Sequence, residues 1–409
     1  MKCRSCGGSH THLFADLGYA PPSNAYLDAS QLNLPETHHP LRAHICEECW
    51  LAQVDVDFNP TELFTSDYAY LSSSSDSWLE HARKFCLAIE QRLGLDQDSF
   101  VVEIACNDGY LLQNFVSTSI PILGIEPTHE TANVARSKGI PVIEDFFGVE
   151  LSRKILSAQG RASLIVGNNV LAHVPDINDF VEGCRQLLRP DGLVVFEFPH
   201  LMELLVNNQF DTIYHEHYSY LSLHAVTNLF KRHGLVVVDC EQLSTHGGSL
   251  RVFGQLVESA SRPSSVVQQI MTYEEQAGLT RLTTYAEFQR RIDDVRDGLL
   301  SFLVQARRDG KRVFAYGAAA KGNTLLNFCG VRHGLIEAVF DRSKLKIGRY
   351  LPGSHIPIYD AESELLSEAD YLLVLPWNLS EEIVHQLKEK VSSRCEFLVP
   401  LPKLQSVER

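Results

Sequence analysis

Ten consecutive residues, Asp211-Thr212-Ile213-Tyr214-His215-Glu216-His217-Tyr218-Ser219-Tyr220, hold two histidines, two carboxylates and three tyrosines. Such a run has little apolar surface to pack, and burying polar groups without partners is costly. Proton transfer needs groups of this kind, and neutral imidazole is available near pH 7. Composition alone leaves a solvated loop and an acid–base cluster both open.

Two cysteine pairs, Cys3-x-x-Cys6 and Cys46-x-x-Cys49, each set two thiols on one tight turn. Four thiolates complete the tetrahedron of a closed, structural zinc site with no position left for a substrate. His10, His12 and His44 lie near enough in sequence to replace one thiolate. A third stretch, Glu103-x-x-x-Asn107-Asp108-Gly109, ends an apolar run and leads into Tyr110–Phe115, read as a helix. The next apolar run, beginning at Pro121, ends in Glu126. A backbone turn followed by an acid for ribose hydroxyls is the pattern of a nucleoside site. The dinucleotide fingerprint GxGxxG is absent, so the turn fits S-adenosylmethionine, which has no pyrophosphate to cradle.

The elements that must position these residues alternate between strand and helix. Further strands are predicted at Pro141–Glu144, Ser163–Gly167 and Gly192–Phe198, separated by helical segments. That alternation predicts a doubly wound sheet whose ligands sit at the strand C-termini. Asp145, Phe146, Asn168, Asn169, His173 and Glu197 to His200 fall at those ends, where a polar residue is also a common helix cap. Leu201–Asn207 and Ser222–His233 read as helices on either side of the titratable cluster. Leu235–Leu243 and Ser249–Val257 read as paired strands closing the sheet, joined through Thr245-His246-Gly247-Gly248. Tyr19 to Asn24 reads as a turn and extended strand. The serine-rich segment that carries Tyr68 and Tyr70 is a candidate lid before a helix over Trp78–Leu93. Pro263–Arg308 is amphipathic and helical, a connector. A second α/β unit begins at Arg312, with a small-residue loop, Gly317 to Lys321, suited to a phosphate. Strands at Glu337–Asp341, Tyr371–Leu375 and Glu396–Val399 follow, and Lys346 to Gly353 is a basic loop in an acidic chain.

The chain has 409 residues, which points to two or three domains. Its formal charge of −15 disfavours nucleic acid and anionic membrane as partners. Apolar runs such as Leu193–Phe198 are too short to span a bilayer. The N-terminus lacks the apolar core of a signal peptide. The cytoplasm is therefore the expected location, and ten cysteines there suggest metal ligation or free thiols.

Taken in order, Glu103-x-x-x-Asn107-Asp108-Gly109-Tyr110, Asn168-Asn169-Val170-x-x-His173-Val174, Ile213-Tyr214-His215-Glu216-His217, His246-Gly247-Gly248-Ser249-Leu250-Arg251 and Tyr316-Gly317-Ala318-x-Ala320-Lys321-Gly322 resemble a known family. It is that of the three-domain, S-adenosylmethionine-dependent sugar C-methyltransferases of deoxysugar biosynthesis. The resemblance covers nearly the whole chain. One departure is Ala105-Cys106, where the family often carries Gly-Ser. The resemblance implies an α/β class I methyltransferase sheet flanked by a small zinc-binding domain and a C-terminal Rossmann-like domain, divided at 1–66, 67–262 and 263–409. It implies a thymidine diphosphate 4-keto-deoxysugar held between the middle and C-terminal domains and methylated beside its ketone.

Carbon becomes a nucleophile there only when its α-proton leaves and the ketone oxygen takes the charge. That chemistry needs a base at the carbon, a donor at the oxygen and an aligned methyl sulfonium. The resemblance points to His217 as the base, with Tyr214 and Glu216 in support and His215 structural. It leaves His173 and Tyr68 to stabilise the enolate or close the site. The expected cofactor residues are Glu103, Asn107, Asp108, Gly109, Glu126, Asp145, Phe146, Asn168 and Asn169. The expected substrate residues are Tyr70, His246, Arg251, Tyr316, Lys321, Asn323 and Arg349. Zinc falls to Cys3, Cys6, Cys46 and Cys49, and a monomer is expected. Competing readings make His215, Glu216, His217 and His246 a metal site, replace the sugar with another keto acceptor, or make the chain a nucleotide-binding scaffold or an NAD-dependent reductase.

Overall fold

The computed structural model describes residues 1–55 and 71–409. The expected lid residues Tyr68 and Tyr70 lie outside the described residues. The N-terminal region is an antiparallel sheet of β1 (Thr11–Ala20), β2 (His39–Cys46) and β3 (Ala52–Val54). Alternation along β2 buries Leu41, Ala43 and Ile45 on one face and leaves Arg42 and His44 toward the other.

The middle region contains β4 (Val101–Ile104), β5 (Ile122–Ile125), β6 (Val142–Ile143), β7 (Ala162–Asn168), β8 (Leu188–Pro199), β9 (Ser219–Tyr220), β10 (Leu235–Leu243) and β11 (Ser249–Leu256). Seven of these form one sheet in the order β10-β11-β8-β7-β4-β5-β6. It is parallel from β6 to β8, and β11 is inserted antiparallel between β8 and β10. Central strands buried on both faces read as continuous apolar runs, as β4, β7 and β8 do. Strand order reverses between β4 and β7, so ligands belong at their C-terminal ends. The helix Asp76–Leu93 begins where Ser75 accepts the Trp78 N–H at 3.3 Å.

The helix expected directly after β4 is reduced to a 3₁₀ turn at Leu112–Asn114. Gln113, Asn114 and Thr118 side chains donate to the Tyr110, Leu111 and Phe115 carbonyls. Local bonds of that kind compete with helix propagation.

The connector comprises helices Ser265–Gln276, Leu282–Ala286 and Phe288–Arg308. The first packs on the middle sheet through Ile270. The last buries Phe288, Ile292, Leu299 and Leu303 at helical spacing, with Phe288 against Phe14 of β1. The C-terminal sheet contains β12 (Val313–Tyr316), β13 (Val339–Asp341), β14 (Ile358–Asp360), β15 (Tyr371–Val374), β16 (Glu396–Val399) and β17 (Gln405–Val407). Their order is β14-β13-β12-β15-β16-β17, parallel except for β17.

The short β9 leaves the middle sheet altogether. It pairs with β3, Ala52 opposite Tyr220 and Gln53 opposite Ser219, as the fourth strand of the N-terminal sheet. One apolar cluster accordingly joins Phe14 and Leu41 to Phe210 and Ile213 and on to Leu325. Among the described residues no helix is long and apolar enough to cross a membrane.

Candidate active site

The four cysteines meet at the end of the N-terminal sheet. Their sulfurs lie within 4.8 Å of one another, with Cys3 to Cys49 and Cys6 to Cys46 each at 3.5 Å. Tetrahedral zinc with Zn–S bonds of about 2.3 Å requires sulfurs about 3.8 Å apart, so the donor set fits the ion. The nearby histidines face carboxylates instead: His10 faces Glu48 at 3.6 Å, His12 Glu47 at 2.9 Å and His44 Asp55 at 3.6 Å.

The turn after β4 is built on alternating left-handed residues: Ala105 (φ 57°), Asn107 (φ 49°) and Gly109 (φ 79°). Glycine suits all three, asparagine tolerates the region, and alanine is strained there. The Asn107 N–H donates to Glu126 at 3.0 Å, and Glu126 also accepts the Thr128 N–H at 3.0 Å. Asp108 accepts the N–H of Ser73 at 3.3 Å and its hydroxyl, while the Ser72 N–H reaches the Asn107 side chain at 2.9 Å. The serine tract thus closes over this turn. Glu103 lies fully buried beneath it. Burial raises its carboxyl well above the ordinary range against the pull of the Leu112 N–H and Tyr110. At the end of β7, both polar atoms of the buried Asn168 amide have no hydrogen-bond partner among the described residues. An orphaned amide at the switch point calls for a polar ligand, and the left-handed turn, Glu126 and Asn168 fit the nucleoside methyl donor. Asp145 and Phe146 stand exposed beyond β6.

The cluster from Asp211 onward sits on the same edge. His217 Nδ1 lies 3.0 Å from the Thr212 carbonyl, which fixes the proton on Nδ1 and leaves Nε2 to accept the Tyr214 hydroxyl at 2.8 Å. The His173 ring meets His217 edge-on, centroids 4.5 Å apart. Burial, with His173 alongside, holds His217 well below the ordinary imidazole range. Burial likewise depresses His173, His215 and His246 to about 4. Glu216 is driven the other way, to about 7, by burial, opposed by a hydrogen bond from Asn24. His215 turns toward His39 of the N-terminal sheet, ring centroids 6.0 Å apart. The competing reading of His215, Glu216, His217 and His246 as a metal set therefore finds no convergence. Among the described residues, only the four cysteines bring three or more such ligand atoms within reach of one ion.

His246, at φ 56°, stacks on Trp78 and meets the Asn169 amide at 2.8 Å. Arg251 is engaged by Glu197 and Glu241, both at 2.8 Å, and bears on Phe85. From the C-terminal region, Lys321 lies 4.6 Å over the Trp377 ring and donates to Asn378. Burial lowers its ammonium, with Asp211 opposing. Trp377 in turn donates to Asp211 at 2.7 Å. Tyr316 is buried at the end of β12, its hydroxyl pushed up to about 12 by burial. Asn323 donates to the Ser23 carbonyl at 2.6 Å, and Arg349 faces Asp28 at 3.6 Å. The basic loop is thereby engaged with the N-terminal region, Lys346 donating to the Ala318 carbonyl at 2.8 Å beside Tyr26.

Comparison with known proteins agrees with this geometry. Residues 3–64 match a family described as a putative zinc binding domain, 78–239 a methyltransferase domain, and 244–402 a C-methyltransferase C-terminal domain. The C-methyltransferase NovU of Streptomyces niveus is 36% identical over 402 residues, spanning 98% of this chain and 96% of that enzyme. The chain belongs to the NovU-like C-methyltransferase family. It is an S-adenosylmethionine-dependent C-methyltransferase with a zinc-binding N-terminal region. A ubiquinone biosynthesis O-methyltransferase from Bordetella avium is 26% identical over 110 residues, 26% of this chain and 46% of that enzyme. The magnesium protoporphyrin IX methyltransferase ChlM of Synechocystis PCC 6803, solved with bound SAM, aligns over 43% of this chain and 76% of its own. Its identity is 12% and its TM-score 0.32.

Several side chains of this C-methyltransferase that hold the site and its surroundings together carried no signal in sequence. Asn24 follows two prolines in what reads only as a turn. Trp377 and Asn378 sit in a loop with no motif, and Ser72 and Ser73 look like linker. Glu274, in the connector helix, is fully buried and accepts from His200 and His224, both at 2.7 Å.

Proposed function

We propose that this enzyme methylates the carbon beside the ketone of a nucleotide-linked 4-keto-deoxysugar, most simply a thymidine diphosphate sugar, with His217 as general base. The observation that carries the reading is the tautomer of His217. Its Nδ1–H is tied to the Thr212 carbonyl, and the lone pair of Nε2 is directed into the cluster beside Tyr214 and His173. A buried imidazole with a depressed pKa is neutral at pH 7 and so holds that lone pair ready.

Bound S-adenosylmethionine supplies an electrophilic methyl sulfonium. The Asn107 turn and Glu126 would hold its nucleoside at the ends of β4 and β5. The acceptor displaces the Tyr214 hydroxyl from Nε2, and His217 takes the α-proton. The pair from the broken C–H bond passes to the ketone oxygen as the enolate. The enolate's α-carbon would take the methyl group as the methyl–sulfur bond breaks, and that bond's pair leaves with the sulfur as S-adenosylhomocysteine. Donors at the enolate oxygen strengthen as charge develops there, a role suited to Tyr214, once displaced, or His173. The nucleotide is assigned to the C-terminal loop from Gly317 to Lys321, where a half-buried lysine supplies a counter-charge. NovU's resemblance across the whole length supports a similar reaction, and one chain provides every group invoked.

Incubation with methyl-labelled S-adenosylmethionine and a panel of 4-keto nucleotide sugars tests the reading. Label on the carbon adjacent to the ketone is expected for at least one thymidine-linked sugar. Transfer to oxygen, or none across the panel, would refute it.

A further inference from the structure

The segment from Pro21 to Tyr26 leaves β1 and runs between the catalytic cluster and the C-terminal region. Its path is fixed from one side. The Tyr26 hydroxyl donates to the Ala318 carbonyl at 2.6 Å, and the Ser23 carbonyl accepts the Asn323 amide at 2.6 Å. Leu27 and Tyr350 exchange two backbone hydrogen bonds at 3.0 and 2.8 Å. With its neighbours pinned, Asn24 projects the other way. Its Nδ2 lies 2.8 and 2.9 Å from the two carboxylate oxygens of Glu216. Glu216 is 2% exposed, and among the described residues its carboxylate meets no other side chain within hydrogen-bond distance.

We propose that Asn24 is a positioning residue for methyl transfer, acting through Glu216: the zinc-bearing region supplies the amide that orients the buried carboxylate beside His217. The proposal rests on the reading of Glu216 and His217 as parts of the reacting cluster. Its physical basis is the cost of an isolated buried charge, which the carboxylate avoids either by protonation or by donors. An ionised Glu216 accepts on both oxygens, whereas the acid presents a donor, so its charge state decides which hydroxyl of an acceptor it can bind. Other titratable groups face it from each neighbouring element. Tyr26 feels its charge together with that of Asp341, Lys346 stands beside Tyr26, and His173 contacts the Glu216 backbone. None of them replaces the Asn24 amide on the carboxylate.

The test uses the full chain with Asn24→Leu, Asn24→Ala, Glu216→Gln and the double variants. A hydrogen bond to a charged group corresponds to about ten- to a hundredfold, so each Asn24 variant should lower kcat by that factor. S-adenosylmethionine affinity and zinc content should stay those of the unsubstituted enzyme. Because Asn24 acts through Glu216, adding Asn24→Leu to Glu216→Gln should change kcat by less than about threefold. Without substrate, infrared titration of carboxyl-labelled glutamate should show the Glu216 band, identified by its loss in Glu216→Gln, ionising at higher pH in Asn24→Leu. Independent, multiplicative losses of kcat, or an unmoved infrared midpoint in both Asn24 variants, would overturn the proposal. Absence of turnover by the unsubstituted enzyme on every keto-sugar would instead refute the acceptor reading, and the infrared midpoint would still decide whether Asn24 governs Glu216.

Discussion

Replacing His217 with asparagine isolates the proton-transfer step. The asparagine amide keeps a donor for the Thr212 carbonyl, now 3.0 Å from Nδ1, so folding should lose only about 1–2 kcal/mol. What disappears is the Nε2 lone pair. A positioned general base contributes about 10²- to 10⁴-fold, equivalent to about 3–5 kcal/mol of barrier, and kcat should fall by that factor. The turn and Glu126 proposed to hold the methyl donor do not contact His217, so donor affinity by calorimetry should hold within about twofold.

The pH profile separates His217 from its neighbour. An ordinary imidazole with a pKa of about 6.5 is only about one-tenth neutral at pH 5.5. Burial keeps His217 well below that range, so it stays neutral across this window. Two buried carboxyls of this stretch titrate near that window, Glu216, raised by burial to about 7, and Asp211, raised by burial to about 6, and the ionised form of each is lost as pH falls. In the unsubstituted enzyme kcat/KM should therefore decline below about pH 7. In Glu216→Gln the profile should be lower and should lose the limb near 7, leaving only a decline below about 6 where Asp211 protonates. An acid limb near 7 that survives Glu216→Gln would refute the reasoning, as would turnover by His217→Asn within tenfold of normal.

Gly109→Ala would put a Cβ 2.3 Å from Ile140 Cδ1 at a φ of 79°. Left-handed strain and overpacking together should cost about 2–4 kcal/mol, read by urea unfolding, with weakened donor binding. Ala105→Gly, at φ 57°, relieves the same strain and should hold or raise stability by up to about 1 kcal/mol without changing donor affinity. Cys46→Ser should reduce bound zinc below one equivalent and, because β3 carries β9, lower kcat more than donor affinity. Burial alone would raise the Glu274 carboxyl, but His200 and His224 outweigh it and hold it at about 2. Its contribution is present above the ordinary carboxylate pKa and lost as pH falls toward 2. Glu274→Gln should cost about 3 kcal/mol near pH 7 and flatten the acid limb of stability, followed by denaturation at pH 7 and pH 3.

Strand alternation placed the parallel sheet and its ligand edge because buried central strands are apolar along their length. The antiparallel pair was legible too, though not that β11 would insert beside β8. The cofactor turn was only half legible. Gly109 announces a left-handed residue and Asn107 permits one, but nothing in an alanine shows that Ala105 occupies the same conformation. Glu274 was hidden because a glutamate on an amphipathic helix looks like surface charge, and its partners His200 and His224 are far away in sequence. The two-residue β9 carries no periodicity, so its departure to another sheet could not be read at all. The partners of the C-terminal basic loop were not legible either. Its charge is balanced by groups of the N-terminal region, Arg349 by Asp28, while Glu36 accepts the Gly353 N–H and faces His355.

The stretch from Asp211 to Tyr220 has little regular structure, and irregular backbone with buried polar side chains must find partners elsewhere. It finds them in three directions. Trp377 of the C-terminal region binds Asp211. His173, after β7 of the middle sheet, packs on His217. Asn24 and β3 of the N-terminal region take Glu216 and the Ser219–Tyr220 strand. No single region supplies enough contacts to order the stretch alone. Ordering an irregular segment of this kind draws on all three regions, so the proposed base role of His217 ties the zinc-binding region to methyl transfer. It also explains why the polar crowding that first marked these residues depends on the assembled chain: Asp211, Glu216 and His217 each meet a group from a different part of the molecule.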